Sequence, residues 1–170
     1  MLAAVDVLIL LKLAVKDERD WTQPQVAGEL LVSQSVVSRA LRSAESVGLY
    51  SPVRKRVNAR RLAEALIHGA RYFLAAKRGG EVRGMRTAWA APPLSAELSG
   101  TDLLPPVWPD ADGETRGLSL EPLHPNVPEA ARRDPKLYEL LALLDVLRMD
   151  SDLRAHNLAA KEIFARLVRK

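Results

Sequence analysis

The 170-residue sequence predicts a mainly α-helical protein with a small β component. Three observations carry that expectation. Apolar residues recur at helical spacing behind capping signals in residues 1–78 and again in 135–170. Nine of the eleven prolines gather between Pro92 and Pro135, where long helices are excluded. In the middle region of 79–134 that contains most of them, two short segments of strand character echo one another.

Taken in chain order, residues Val5 to Val15 are apolar around the whole helix axis, which predicts a buried first helix over 2–16. Asp6 and Lys12 interrupt the run, and it is shorter than the roughly 20 residues that span a bilayer. No later segment does better, so the chain is expected to be cytoplasmic, without a membrane partner or an address sequence. Thr22 followed by Gln25 forms a capping box with Pro24 in the first turn, opening a helix over 23–31. Ser33 opens another over 34–47, and Gly48 ends it. Asn58 caps a fourth helix through Ala76, with Leu62, Leu66, Ala70 and Phe73 spaced for one buried face.

In the middle region, 79–134, Glu81-Val82-Arg83-Gly84-Met85 is echoed by Glu114-Thr115-Arg116-Gly117-Leu118. The echo is either chance or a pair of strands in one small sheet, with the prolines between them forming an extended excursion. Asp134 before Pro135 then opens a helix striped by Leu137, Leu140, Leu141, Leu144 and Leu147. A second start at Asp150 or Ser151 leads to Leu153, Asn157, Ala160, Ile163, Phe164 and Leu167, so a helical hairpin closes the chain. Its stripe either packs inside the chain or forms a dimer or partner-protein surface.

Composition narrows the function. Without cysteine there is no disulfide framework, no thiolate zinc site and no cysteine nucleophile. The histidines, His68, His124 and His156, show no metal-ligand spacing, and no Gly-rich phosphate loop is present. No cofactor and no metal are expected. Residues 1–90 hold 15 basic and 8 acidic side chains, a net +7, whereas residues 91–170 hold 10 and 13, a net −3. An anionic partner is therefore expected to meet the first half.

Two predicted helices flank a short turn in Val26-Ala27-Gly28-Glu29-Leu30-Leu31-Val32-Ser33-Gln34-Ser35-Val36-Val37-Ser38-Arg39-Ala40-Leu41. Val36, Val37, Ala40, Leu41, Ala44 and Val47 are predicted to point inward, leaving Gln34, Ser35, Ser38, Arg39 and Arg42 outward. A helix of that kind fits the major groove, where Gln and Arg pair with base edges and Ser bonds bases or phosphates. Thr22, Gln23 and the amides at Ser33 are placed for backbone phosphates. Arg54, Lys55, Arg56, Arg60 and Arg61 follow as a basic cluster with no acid before Glu64.

These residues resemble the winged helix-turn-helix of bacterial transcription regulators of the MarR-like and GntR-like kind, over about residues 5–60 and at most to Ala76. In that unit Ala27 is the small residue that lets the helices approach, Val32 fills the space between them, and Gly48-Leu49-Tyr50 enters the wing. The interval from Gly48 to Asn58 allows only a stub or a single strand. One departure stands out: Leu31 occupies the turn position where the family usually has glycine, so the backbone either avoids a left-handed conformation there or adopts it at a cost. The resemblance implies a homodimer on double-stranded DNA, reading a near-symmetric operator.

The sequence thus divides into a DNA-binding unit over 1–78, a proline-rich region with short strands over 79–134, and a helical hairpin over 135–170. The expected function is sequence-specific DNA binding in transcriptional control, without enzymatic chemistry. The alternative is a protein-interaction adaptor on the same scaffold. A weaker third option is an enzyme using carboxylates from the middle region, where Asp102, Asp110, Asp112, Glu114 and Glu121 lie. Trp89 and Trp108, each near proline, are expected in the core rather than stacked on a ligand.

Overall fold

The computed structural model describes residues 1–16, 19–98 and 103–168. Asp102, one of the acids singled out above, lies outside the described residues. The chain is mainly helical with a small sheet component. Three helices come first: α1 (Ala4–Lys16), α2 (Gln23–Leu30) and α3 (Gln34–Ser46). A two-stranded hairpin, β1 (Tyr50–Ser51) and β2 (Arg56–Val57), leads to α4 (Ala59–Phe73). Strands β3 (Arg78–Arg86), β4 (Pro106–Pro109) and β5 (Thr115–Leu120) form the middle, and helices α5 (Val127–Arg133), α6 (Pro135–Arg148) and α7 (Leu153–Val168) complete the chain.

The predicted capping residues set the helix ends. Thr22 Oγ1 accepts from the Gln25 amide while Gln25 Oε1 accepts from the Thr22 amide, closing the capping box of α2. Ser33, Asn58 and Asp134 cap α3, α4 and α6 in the same side-chain manner. At the end of α3, Gly48 adopts φ +75° while its amide reaches Glu45 O and the Leu49 amide reaches Ala44 O, the paired bonds of a Schellman termination. The last start differs from expectation. Asp152, rather than Asp150 or Ser151, accepts from the Ala155 amide and opens α7.

The echoing segments are paired strands. Glu81 faces Leu118, Val82 faces Gly117, Arg83 faces Arg116 and Gly84 faces Thr115 in an antiparallel ladder. What the sequence reading missed is a third strand inside the proline-rich excursion: β4 runs antiparallel to β3 and parallel to β5, so the three close on one another as a minimal barrel. Proline fits there because it breaks few ladder bonds in so short a strand. The echoed glycines explain the closure. A Cβ on Gly84 would lie 2.0 Å from the Trp108 carbonyl oxygen, and one on Gly117 2.1 Å from that of Pro105.

Helix α6 is buried from Leu140 to Arg148 without interruption, and α1 from Asp6 to Leu13. The whole leucine stripe of α6 is consumed inside the chain, against α1, α4, α5 and α7. One continuous apolar core draws on the helices of the first part, on Trp108 from β4, and on α5, α6 and α7. Four side chains predicted inside are not. Val47 (51% exposed) follows the last turn of α3, Phe73 (49%) ends α4, and Leu153 (75%) begins α7, all at helix ends, and Asn157 of α7 is exposed as well. The buried stripe of α7 is instead Ala155, Ala159, Ile163 and Leu167, a strict i, i+4 row shifted from the predicted Leu153, Asn157 and Ala160.

A buried polar knot ties the barrel to the helices. Asp145 Oδ2 accepts from Thr87 Oγ1 and from Trp108 Nε1, each at 2.6 Å, and Asp145 Oδ1 meets Arg148 Nη1 at 2.5 Å. Arg148 also donates through Nε to the Leu74 carbonyl (2.7 Å) and through Nη2 to that of Glu121 (3.2 Å). Burial pushes the Asp145 carboxyl above its ordinary range, against the pull of Arg148, Thr87 and Trp108. Trp108 is thus a core residue, as expected, and its ring packs on Tyr138 rather than on Trp89.

Candidate nucleic-acid interface

The hydrophobic period of α3 decides which side chains face out. Val37, Ala40, Leu41 and Ala44 are buried and Val36 packs partly against the core, so Gln34, Ser35, Arg39 and Arg42 are exposed, with Ser38 half-buried between them. Arg39 and Arg42 stand three residues apart on one face, about one and two turns beyond Ser35. Of the α2 candidates, Thr22 is exposed and Gln23 half-buried. The hydroxyls of Thr22 and Ser33 are already bound to the Gln25 and Val36 amides. Ser33 Oγ also lies 2.9 Å from Ser35 Oγ.

The turn between the helices adopts the left-handed conformation that the sequence left open. Leu31 has φ 57° and ψ 40°, its amide meets Gly28 O at 3.4 Å, and the Val32 amide meets Ala27 O at 3.0 Å. This is the termination that Gly48 makes after α3, built here with a leucine. Asn126, just before α5, holds it: its Nδ2 donates to the Leu31 carbonyl at 2.6 Å. Only the fold brings together these two residues, 95 positions apart.

The hairpin is a stub with Arg54, Lys55 and Arg56 exposed around its turn. Trp21, missed by the sequence reading, is its base. The buried Trp21 ring packs 6.3 Å from the Tyr50 ring, and Lys55, with φ 49°, places its ammonium 5.9 Å from the Trp21 centroid. The basic cluster does not act as one unit. Arg60 is exposed and ion-paired with Glu64 at 3.5 Å, whereas Arg61 Nη1 donates to the Gly48 carbonyl at the end of α3. Arg54 and Lys55 lie in the hairpin turn, and Arg56 begins β2.

Behind this surface, Lys12 of α1 joins α2 to the start of α6. Its buried ammonium meets Asp134 Oδ2 at 2.7 Å and Glu29 Oε2 at 3.0 Å, and Lys16 meets Glu29 Oε1 at 2.9 Å. Desolvation opposes every charge in this group, yet the hydrogen bonds and opposite charges win. Lys12 is held above its ordinary range, and Glu29 and Asp134 below theirs.

Comparison with protein-family models, curated proteins and solved structures finds no match to this chain. The geometry therefore stands alone.

The other candidates from the sequence are dispersed. Asp110 is ion-paired with Arg132, Asp112 and Glu114 are exposed beside Arg83 and Arg116, and Glu121 is exposed. Among the described residues no group of His, Asp and Glu is placed to hold a metal ion, and no helix is long and apolar enough to cross a membrane.

Proposed function

We propose that the protein is a sequence-specific DNA-binding regulator that lays α3 in the major groove. The observation that carries this reading is the division of α3 into a buried apolar face and an exposed face of Gln34, Ser35, Arg39 and Arg42. Arg39 and Gln34 read base edges, because the guanidinium and the carboxamide each form two bonds in one plane. Ser35 and Ser38 bond bases or phosphates. Arg42, Arg54, Arg56 and Arg60 neutralise phosphates, with Lys55 free to leave Trp21 for the same purpose, and Thr22, Gln23 and Ser33 line the backbone. A homodimer on a near-symmetric operator completes the winged helix-turn-helix reading. Since α6 is covered within the chain, a second copy or a partner protein has to use other surfaces.

The test is binding of the purified chain to sites enriched from random genomic fragments, compared with random duplex at several salt concentrations. A recovered palindrome and a steep fall of log affinity with log salt are expected. An interaction adaptor, favoured by the exposed Tyr72 and Phe73 at the end of α4, predicts no enriched site and a shallow salt slope.

A further inference from the structure

Gly28 has no reason in the fold. It lies inside α2, where glycine is the poorest helix former after proline. Its φ is not left-handed, it is exposed, and a Cβ there would meet no atom within 4 Å. Gly84 and Gly117, by contrast, are required by strand carbonyls close to their Cα atoms. Gly28 instead lines an open depression of about 410 Å³ together with Lys12, Lys16, Glu29 and Arg133.

The lining carries three cations and one acid, and the acid shows what the cations accept. The Glu29 carboxylate is divided between Lys12 and Lys16 at 3.0 and 2.9 Å, and Lys12 is also held by Asp134 beneath. Arg133, also in the lining, gives Nε to Glu129 at 3.0 Å and is half-exposed. We infer that this depression binds a small oxyanion, a phosphate or a carboxylate group, between Lys16 and Arg133, and that Gly28 is kept without a side chain to leave room for it. An oxyanion there competes with Glu29 for Lys16 and bridges α1 to the end of α5. The site shares no residue with the exposed face of α3.

The experiment is a titration of the full ¹⁵N-labelled chain at constant ionic strength, with inorganic phosphate in one arm and succinate in the other, following the Gly28, Glu29 and Arg133 amides. Saturable shifts confined to this region are expected. Saturation by phosphate alone identifies free phosphate as the ligand chemistry, and saturation by succinate identifies a carboxylate compound. Gly28→Leu fills the space and suits a helix better than glycine, so it is expected to weaken binding at least tenfold without lowering the melting temperature. Arg133→Gln, remote from the helix interior, is expected to weaken it several-fold and serves if Gly28→Leu folds poorly. Shifts that never saturate in either arm, or affinity unchanged within twofold in the folded variants, overturn the proposal.

Discussion

Arg39 and Arg54 carry opposite expectations. Arg39→Ala is expected to lose about 1–3 kcal/mol of specific binding and to relax sequence preference, because a base-edge contact discriminates between duplexes. Arg54→Ala is expected to weaken binding about equally for every duplex and to reduce the salt slope, because a phosphate contact carries no sequence. Competition assays with specific and random DNA separate the two, and equal losses for Arg39→Ala on both would reject its role. Leu31 offers a test that needs no DNA. A non-glycine residue in the left-handed region is strained by roughly 1–2 kcal/mol, and Leu31 is 38% exposed, with limited packing to lose. Leu31→Gly is therefore expected to raise stability by about 1 kcal/mol in urea unfolding, since the bond from Asn126 goes to the backbone and survives the change.

The joint between α1, α2 and α6 predicts a pH profile. Glu29 and Asp134 have lowered native values, so their contribution is complete above their ordinary values of 4.5 and 3.8 and is lost as pH falls through the lowered ones. Lys12 has a raised native value, so its contribution is complete below its ordinary 10.5 and is lost as pH climbs through the raised one. Stability measured against pH should plateau between these limits, and Lys12→Met should flatten the alkaline limb and weaken the acid one. A Lys12→Met profile identical to the parent's would reject the joint. In the barrel, Gly117→Ala places a methyl 2.1 Å from the Pro105 oxygen. Backbone on both sides leaves little room to yield, and a loss of about 1–3 kcal/mol or more is expected.

For the whole molecule, the Asp145–Arg148 pair matters because it touches β4, the residue after β3, the end of α4 and the residue after β5 at once. Asp145→Ala strands a guanidinium whose side chain is 4% exposed, and removing one partner of a buried pair costs about 3–5 kcal/mol. The core is continuous, so the barrel and helices are expected to unfold together in the parent chain. In Asp145→Ala, tryptophan fluorescence and far-ultraviolet circular dichroism are expected to keep a common, lower midpoint. Separate midpoints already present in the parent would mean that barrel and helices are independent units.

Local chemistry determined a large part of this protein. Thr22, Ser33, Asn58 and Asp134 bond amides three residues away, the span that a cap reads, so the starts of four helices were visible in the linear order. The outward face of α3 followed from period alone, whereas the repeated Arg-Gly of β3 and β5 left chance and strand pairing both open until the ladder between them decided it. The remainder depended on partners far apart in the chain. A proline-bearing strand such as β4 is defined by what it pairs with, and the exposure of Leu153 and Phe73 by which other elements pack against their helix ends. Leu31 turns left-handed beside an asparagine 95 residues away, and Lys12 is charged in the interior because Glu29 and Asp134 converge on it. Those are long-range electrostatic and packing terms, and only tertiary structure brings the groups within reach.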